Sequence, residues 1–176
     1  MPESKVEELQ KQLGIDWPNL SAARLLTATR RQEMEPAVEG FSSADVSVVM
    51  FGSFARDELT PGSDPDWSLL VDGAADPHHF ETAQAVGKKI VPLFVKDAGR
   101  EKTFGTPSFS HDLVHLIGGQ DDTNRNTTRR ILLLLESSPV GRREAYDRVV
   151  NCVLDRYVLE DRTFAGKKAR NHVPRF

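Results

Sequence analysis

The chain has 176 residues, enough for one domain with a small helical annex and a sizeable buried core. Hydrophobic residues make up 39% and charged residues 28%, an ordinary soluble balance, and the net charge of −3 argues against a nucleic-acid coat. The single cysteine, Cys152, excludes an internal disulfide and a multi-cysteine zinc site. The start, MPESKVEELQ, lacks the apolar core of a signal peptide, and no apolar run approaches the ~20 residues needed to span a bilayer. A cytoplasmic protein with no membrane partner is expected.

Residues 4–13 and about 20–35 read as helices. In the second, Leu20, Ala23, Leu26 and Met34 fall near helical spacing, with Arg24, Arg31 and Glu35 on the other side. Asn19 or Ser21 offers a cap, and Pro36 is expected to end the helix. Val46, Val48, Val49 and Met50 form a largely β-branched run, a strand ending at Phe51-Gly52. Ser53 to Leu59 suits a short helix, and Thr60-Pro61-Gly62-Ser63 is turn chemistry. Trp67 to Val71 reads as a second strand, closed by Asp72-Gly73. Residues 78–91 read as a helix with Phe80, Ala83, Val86 and Ile90 on one face, until Pro92 disturbs it. Residues 97–108 are loop-like, and Phe109 to Ile117 fits either a short strand or a turn of helix.

Residues 123–137 are expected to form a buried helix, because Ile131 to Leu135 is apolar all round. Residues 142–158 form the cleanest amphipathic helix, with Tyr146, Val149, Val150, Val153 and Tyr157 on one face and Cys152 beside it, expected in the core. The tail from Asp161 to Phe176 is basic and reads as a solvated terminus. The fold class is therefore α/β in the mixed α+β sense: a small mixed sheet flanked by N- and C-terminal helices. The expected division is a helical segment at 1–42, a core at 43–120 and a C-terminal helical segment at 121–176.

The chemistry concentrates in MFGSFARDELTPGSDPDWSLLVDG, Met50 to Gly73. In a strand, residues i and i+2 share a face, so Asp64 and Asp66 project side by side with Cα atoms about 6.5–7 Å apart. Carboxylates so placed hold one hard cation, or bracket two. Magnesium suits them, since it takes few protein ligands and completes its shell with phosphate and water. Pro65 biases Asp64 toward the extended region and is tolerated at a strand entrance. Gly52 lets a phosphate approach the backbone, the turn after it offers N–H groups, and Ser53 adds a hydroxyl donor. Phosphates on the Gly-Ser turn and metals on the aspartates suit nucleotidyl transfer.

These residues carry a resemblance. Gly-Ser, an Ala-Arg step, then Ser-Asp-x-Asp resembles the motif of the DNA polymerase β-like nucleotidyltransferase superfamily, and GSFARDELTPGSDPDW resembles its minimal bacterial branch. FGTPSFSHDLVHLIGGQDDTNRNTTRRILLLLES is similar to bacterial nucleotidyltransferases related to the PII-protein uridylyltransferase. The resemblance covers roughly residues 40–160. It implies that Gly52 and Ser53 contact the phosphates of a nucleoside triphosphate, with Arg56 near them, and that Asp64 and Asp66 bind Mg2+. The family's third carboxylate lies on a later strand, where Asp112 is the best candidate. Pro65 replaces the usual aliphatic residue between the aspartates. The acceptor implied is a hydroxyl on a protein or a small molecule. Relatives continue with further helices, so a truncated chain is expected. The alternative is the same fold binding a nucleotide or partner without turnover.

Two other stretches invite function. HDLVH, from His111 to His115, has the spacing of the zinc-protease HExxH, but Asp112 is one methylene short of the base and Gly118-Gly119 would end the helix. Ordinary hydrogen-bonded histidines are expected. DDTNRNTTRR reads as a capped helix start, against a reading that puts Asn124, Arg129 or Arg130 at the rim of a nucleotide site.

Overall fold

The computed structural model describes residues 5–96 and 104–165. Its elements are α1 (Lys5–Leu13), α2 (Pro18–Val38), β1 (Val46–Phe51), β2 (Trp67–Val71), α3 (His78–Ile90), β3 (Pro107–Phe109), α4 (Ser110–Val114), α5 (Asn124–Leu135), β4 (Ser137–Val140) and α6 (Glu144–Ala165). The strands form a mixed sheet in the order β3-β2-β1-β4. The β1–β2 and β1–β4 pairs are antiparallel and β2–β3 is parallel.

Every residue of β1 and β2 is buried, because helices cover both faces of the sheet. Strand alternation then sorts the side chains into two cores. Val48, Met50, Trp67, Leu69 and Val71 pack with Met34 and Val38 of α2 and Ala83, Val86 and Ile90 of α3. Val49, Phe51 and Leu70 pack on the other face with Leu113 and Val114 of α4, Leu133 of α5 and Val149 and Val153 of α6.

Several expectations change. Pro36 does not end α2, which runs on to Val38. Met34 and Val38 have 0% exposure, and burying Val38 offsets the hydrogen bond that proline removes. The helix begins at Pro18 after Trp17, which makes no side-chain cap bond, so neither Asn19 nor Ser21 is the cap. Ser53 to Leu59 is a run of hydrogen-bonded turns rather than a helix, broken by Asp57 at φ +57°. Phe80 is 56% exposed, while Ala83, Val86 and Ile90 are buried as expected. Ile131 and Leu135 are 40% and 76% exposed. A helix lying on one sheet face cannot bury five consecutive side chains. Cys152 is exposed rather than in the core. The basic tail from residue 166, and residues 97–103 of the expected loop, lie outside the described residues.

Candidate active site

Strand β1 delivers the chain to Gly52, whose φ of +60° is the left-handed conformation that glycine adopts without cost. Its N–H donates to the backbone oxygen of Glu136 at 3.1 Å. The chain then curls, with Arg56 N–H donating to Gly52 O at 3.1 Å and Glu58 N–H to Ser53 O at 2.8 Å. The N–H groups of Ser53, Phe54 and Ala55 meet no backbone carbonyl among the described residues. Consecutive N–H groups after a left-handed residue form a concavity that favours anions.

The loop is anchored from beneath. The Phe54 ring is 1% exposed, with the Arg31 guanidinium 4.8 Å from its centroid. Arg31 also donates to Ser138 Oγ at 3.0 Å, tying α2 to β4. Buried Leu59 donates its N–H to Thr27 Oγ1 of α2 at 3.2 Å. The expected turn closes through Ser63 N–H to Thr60 O at 3.0 Å.

The antiparallel register returns the aspartates to the same place. Met50 pairs with Trp67, and Phe51 N–H donates to Asp66 O at 2.8 Å. A Cβ on Gly52 would stand 3.4 Å from Asp66 Oδ2, so the carboxylate sits against the glycine. Asp66 is half-buried, and burial first, then the charge of Asp64, pushes its carboxyl up to about 6. Among the described residues neither is paired with a lysine or arginine. Hard oxygen donors lacking a counter-charge match the ligand chemistry of a divalent cation.

The other expected residues fall differently. Arg56 is held by carboxylates: its Nε donates to Glu58 Oε2 at 2.8 Å and its Nη1 to Glu136 Oε2. Hydrogen bonding to Glu58, reinforced by the charges of Glu136 and Glu58, holds the guanidinium above its ordinary value. Asp112 lies in α4, after β3, and β3 runs parallel to β2 with Phe109 beside Val71. Val71 is five residues along the sheet from Asp66, about 16 Å at strand rise. Among the described residues no three of His, Cys, Asp and Glu gather into a metal-holding group, so Asp112 is not brought to the pair. Where β3 meets β2, the polar side chains are hydroxyls. Ser68 Oγ donates to Thr106 O at 2.6 Å and lies 2.8 Å from Ser108 Oγ, and Arg129 donates to Thr106 Oγ1 at 3.1 Å. Burial, with the charge of Arg125 behind it, lowers Arg129 to about 10. The cavity these residues share with Leu70 and Leu133 has about 10 Å³, room for no more than a water.

Thr123 caps α5, its side chain accepting from Asn126 N–H, as the capped-start reading expects. Arg130 is not at a rim. It is 2% exposed and bound to Asp122 Oδ2 at 2.6 Å. His111 and His115 are both exposed with ring centroids 5.3 Å apart, and α4 ends between them. Glu136 has no motif to announce it; it reaches the loop only because β4 pairs with β1.

Residues 32–104 match the family model of the nucleotidyltransferase domain. This is consistent with the polymerase β-like superfamily. The matched segment runs from α2 through Gly52, Ser53, Asp64 and Asp66, and stops short of Asp112 and Glu136. The nucleotidyltransferase domain supports nucleotidyl transfer as the general reaction and a nucleoside triphosphate as substrate. No curated protein matches the chain. No helix among the described residues is long and apolar enough to cross a membrane.

Proposed function

We propose that this chain transfers a nucleoside monophosphate from a nucleoside triphosphate to a hydroxyl on a protein or small molecule, in the presence of Mg2+. The acceptor oxygen bonds to the α-phosphorus, the bond to the bridging oxygen breaks, pyrophosphate leaves, and the hydroxyl proton passes to solvent. The observation that carries this reading is the Asp64–Asp66 pair, lacking a cationic partner among the described residues and set against Gly52 at the head of a loop of open N–H groups. Asp64 and Asp66 hold the cation, which when bound offsets charge on the triphosphate and on the leaving pyrophosphate. The N–H groups of Ser53 to Ala55 and the Ser53 hydroxyl receive phosphate oxygens, and the absence of a Cβ at Gly52 lets them come close.

One observation favours a second reading, nucleotide or partner binding without turnover: no third carboxylate joins the pair among the described residues. Calorimetric titration with each nucleoside triphosphate, with and without Mg2+, tests the shared premise. Mg2+-dependent binding that disappears in Asp64→Ala/Asp66→Ala supports the site. No binding to any triphosphate sinks the transfer reading and the nucleotide-binding form of the second, leaving only partner binding. Pyrophosphate release with a hydroxyl acceptor present then separates turnover from binding.

A further inference from the structure

Arg56 is the one arginine on the phosphate loop, yet it faces carboxylates. Its backbone N–H closes the turn onto Gly52 O, one residue beyond the open N–H groups of Ser53 to Ala55. Its guanidinium binds Glu58 on the same loop and Glu136, 80 residues away at the end of α5. Glu136 touches the loop twice, since its backbone oxygen also accepts the Gly52 N–H. The side chains of Arg56 and Glu136 are 40% and 36% exposed, so both are wet enough to exchange partners.

We propose that Glu136 is a positioning residue that withholds Arg56 from the phosphate loop, and that an incoming polyphosphate takes the guanidinium from it. The inference rests on the phosphate-binding part of the function proposed above. An exposed ion pair between carboxylate and guanidinium holds weakly. A polyphosphate offers the same fork geometry with several negative charges, and arginine meets it bidentately. The exchange moves no covalent bond. The loop keeps its shape throughout, because the contact that sets Gly52 is the backbone oxygen of Glu136, which side-chain exchange leaves in place. Before exchange, Glu58, Glu136, Asp64 and Asp66 present four carboxylates against one arginine, a field that opposes a bare polyphosphate. Afterwards, the guanidinium joins the phosphates and Glu136 is left to solvent.

The test uses the full chain and two probes, inorganic tripolyphosphate and Mg2+–ATP, titrated calorimetrically into the wild type, Glu136→Gln, Arg56→Gln and the double variant. Glutamine keeps the backbone contact and most of the packing of Glu136. Relief from the competing carboxylate is expected to tighten tripolyphosphate binding by about two- to fivefold in Glu136→Gln. The gain should vanish in the Arg56→Gln background, where no guanidinium remains to release. A merely structural Glu136 would instead lower thermal stability and leave affinity unchanged or weaker. Equal or weaker binding by Glu136→Gln, or a gain that survives without Arg56, overturns the proposal while leaving the nucleotidyltransferase reading standing. If Mg2+–ATP fails to bind but tripolyphosphate shows the Arg56-dependent gain, the exchange stands and the nucleotide reading falls. No binding of either probe overturns both.

Discussion

Ionising Asp66 at neutral pH puts a second negative charge beside Asp64 in a half-buried corner. Burial, then Asp64, raises its pKa to about 6, above the ordinary carboxylate range. For a carboxyl raised on folding, the folded state holds its proton longer than the unfolded chain does. The stability from this group is then fully present below about pH 4 and lost as pH rises through 6. Asp66→Asn is therefore expected to stabilise the metal-free protein at pH 7.5. After allowance for solvent screening the gain is about 1 kcal/mol, or roughly 2–4 °C in melting temperature. The gain should disappear near pH 4, as read from thermal melts across pH 4–8. Mg2+ should reverse the order at pH 7.5, stabilising the wild type and not the variant, because the cation needs both carboxylates ionised. At this scale the sequence was informative. Glycine after a strand announces a left-handed turn, as at Gly52, whereas Asp64 and Asp66 lie ahead of β2 rather than in it, so the strand parity expected of them does not set their placement. Glu136 and the carboxylates around Arg56 were not legible, because they meet only through the β1–β4 pairing, which no local pattern encodes.

The elements were readable where their periodicity was long or their chemistry strong. β1, β2 and α3 stand almost where the β-branched run, the turn chemistry and the helical spacing put them. β4 was missed because Ser137-Ser138-Pro139-Val140 offers one β-branched residue and a proline, tolerable only at the sheet edge it occupies. β3 has three residues, too few for any period to register. The start of α5 was legible because its cap is local: Thr123 Oγ1 accepts the Asn126 N–H at 3.2 Å. Thr123→Ala should cost about 1 kcal/mol. Urea denaturation monitored by circular dichroism checks this, as a lower midpoint with an unchanged slope. The helix carries the Gly52 contact at its far end through Glu136, so the same variant should leave triphosphate affinity within about twofold if the cap acts only on stability.

Across the molecule, the loop is held by parts distant in sequence, and α5 links the second core to it. The helix is seated by Arg130, whose guanidinium is 2% exposed, bonds both oxygens of Asp122 and donates through Nε to Tyr157 OH of α6 at 3.1 Å. Asp122 also accepts the Gly118 N–H at 2.9 Å, so one carboxylate joins the α4–α5 connection to α5. Burial opposes its charge, but hydrogen bonds from Arg130 and Gly118 prevail and hold its carboxyl below the ordinary range. The sign is opposite to that of Asp66: this stability is present above the unfolded value and lost as pH falls through the folded one. A buried ion pair of this kind adds little over an apolar pair of similar volume, yet removing one partner strands the other charge. Asp122→Asn should therefore cost about 3–5 kcal/mol, roughly 10 °C in melting temperature. Asp122→Leu/Arg130→Met should recover most of that loss, because neither side then buries an unpaired charge. A single variant that loses less than about 1 kcal/mol would put the pair in the class of exposed bridges. It would then follow that α5 is seated by Leu133 and its apolar neighbours alone.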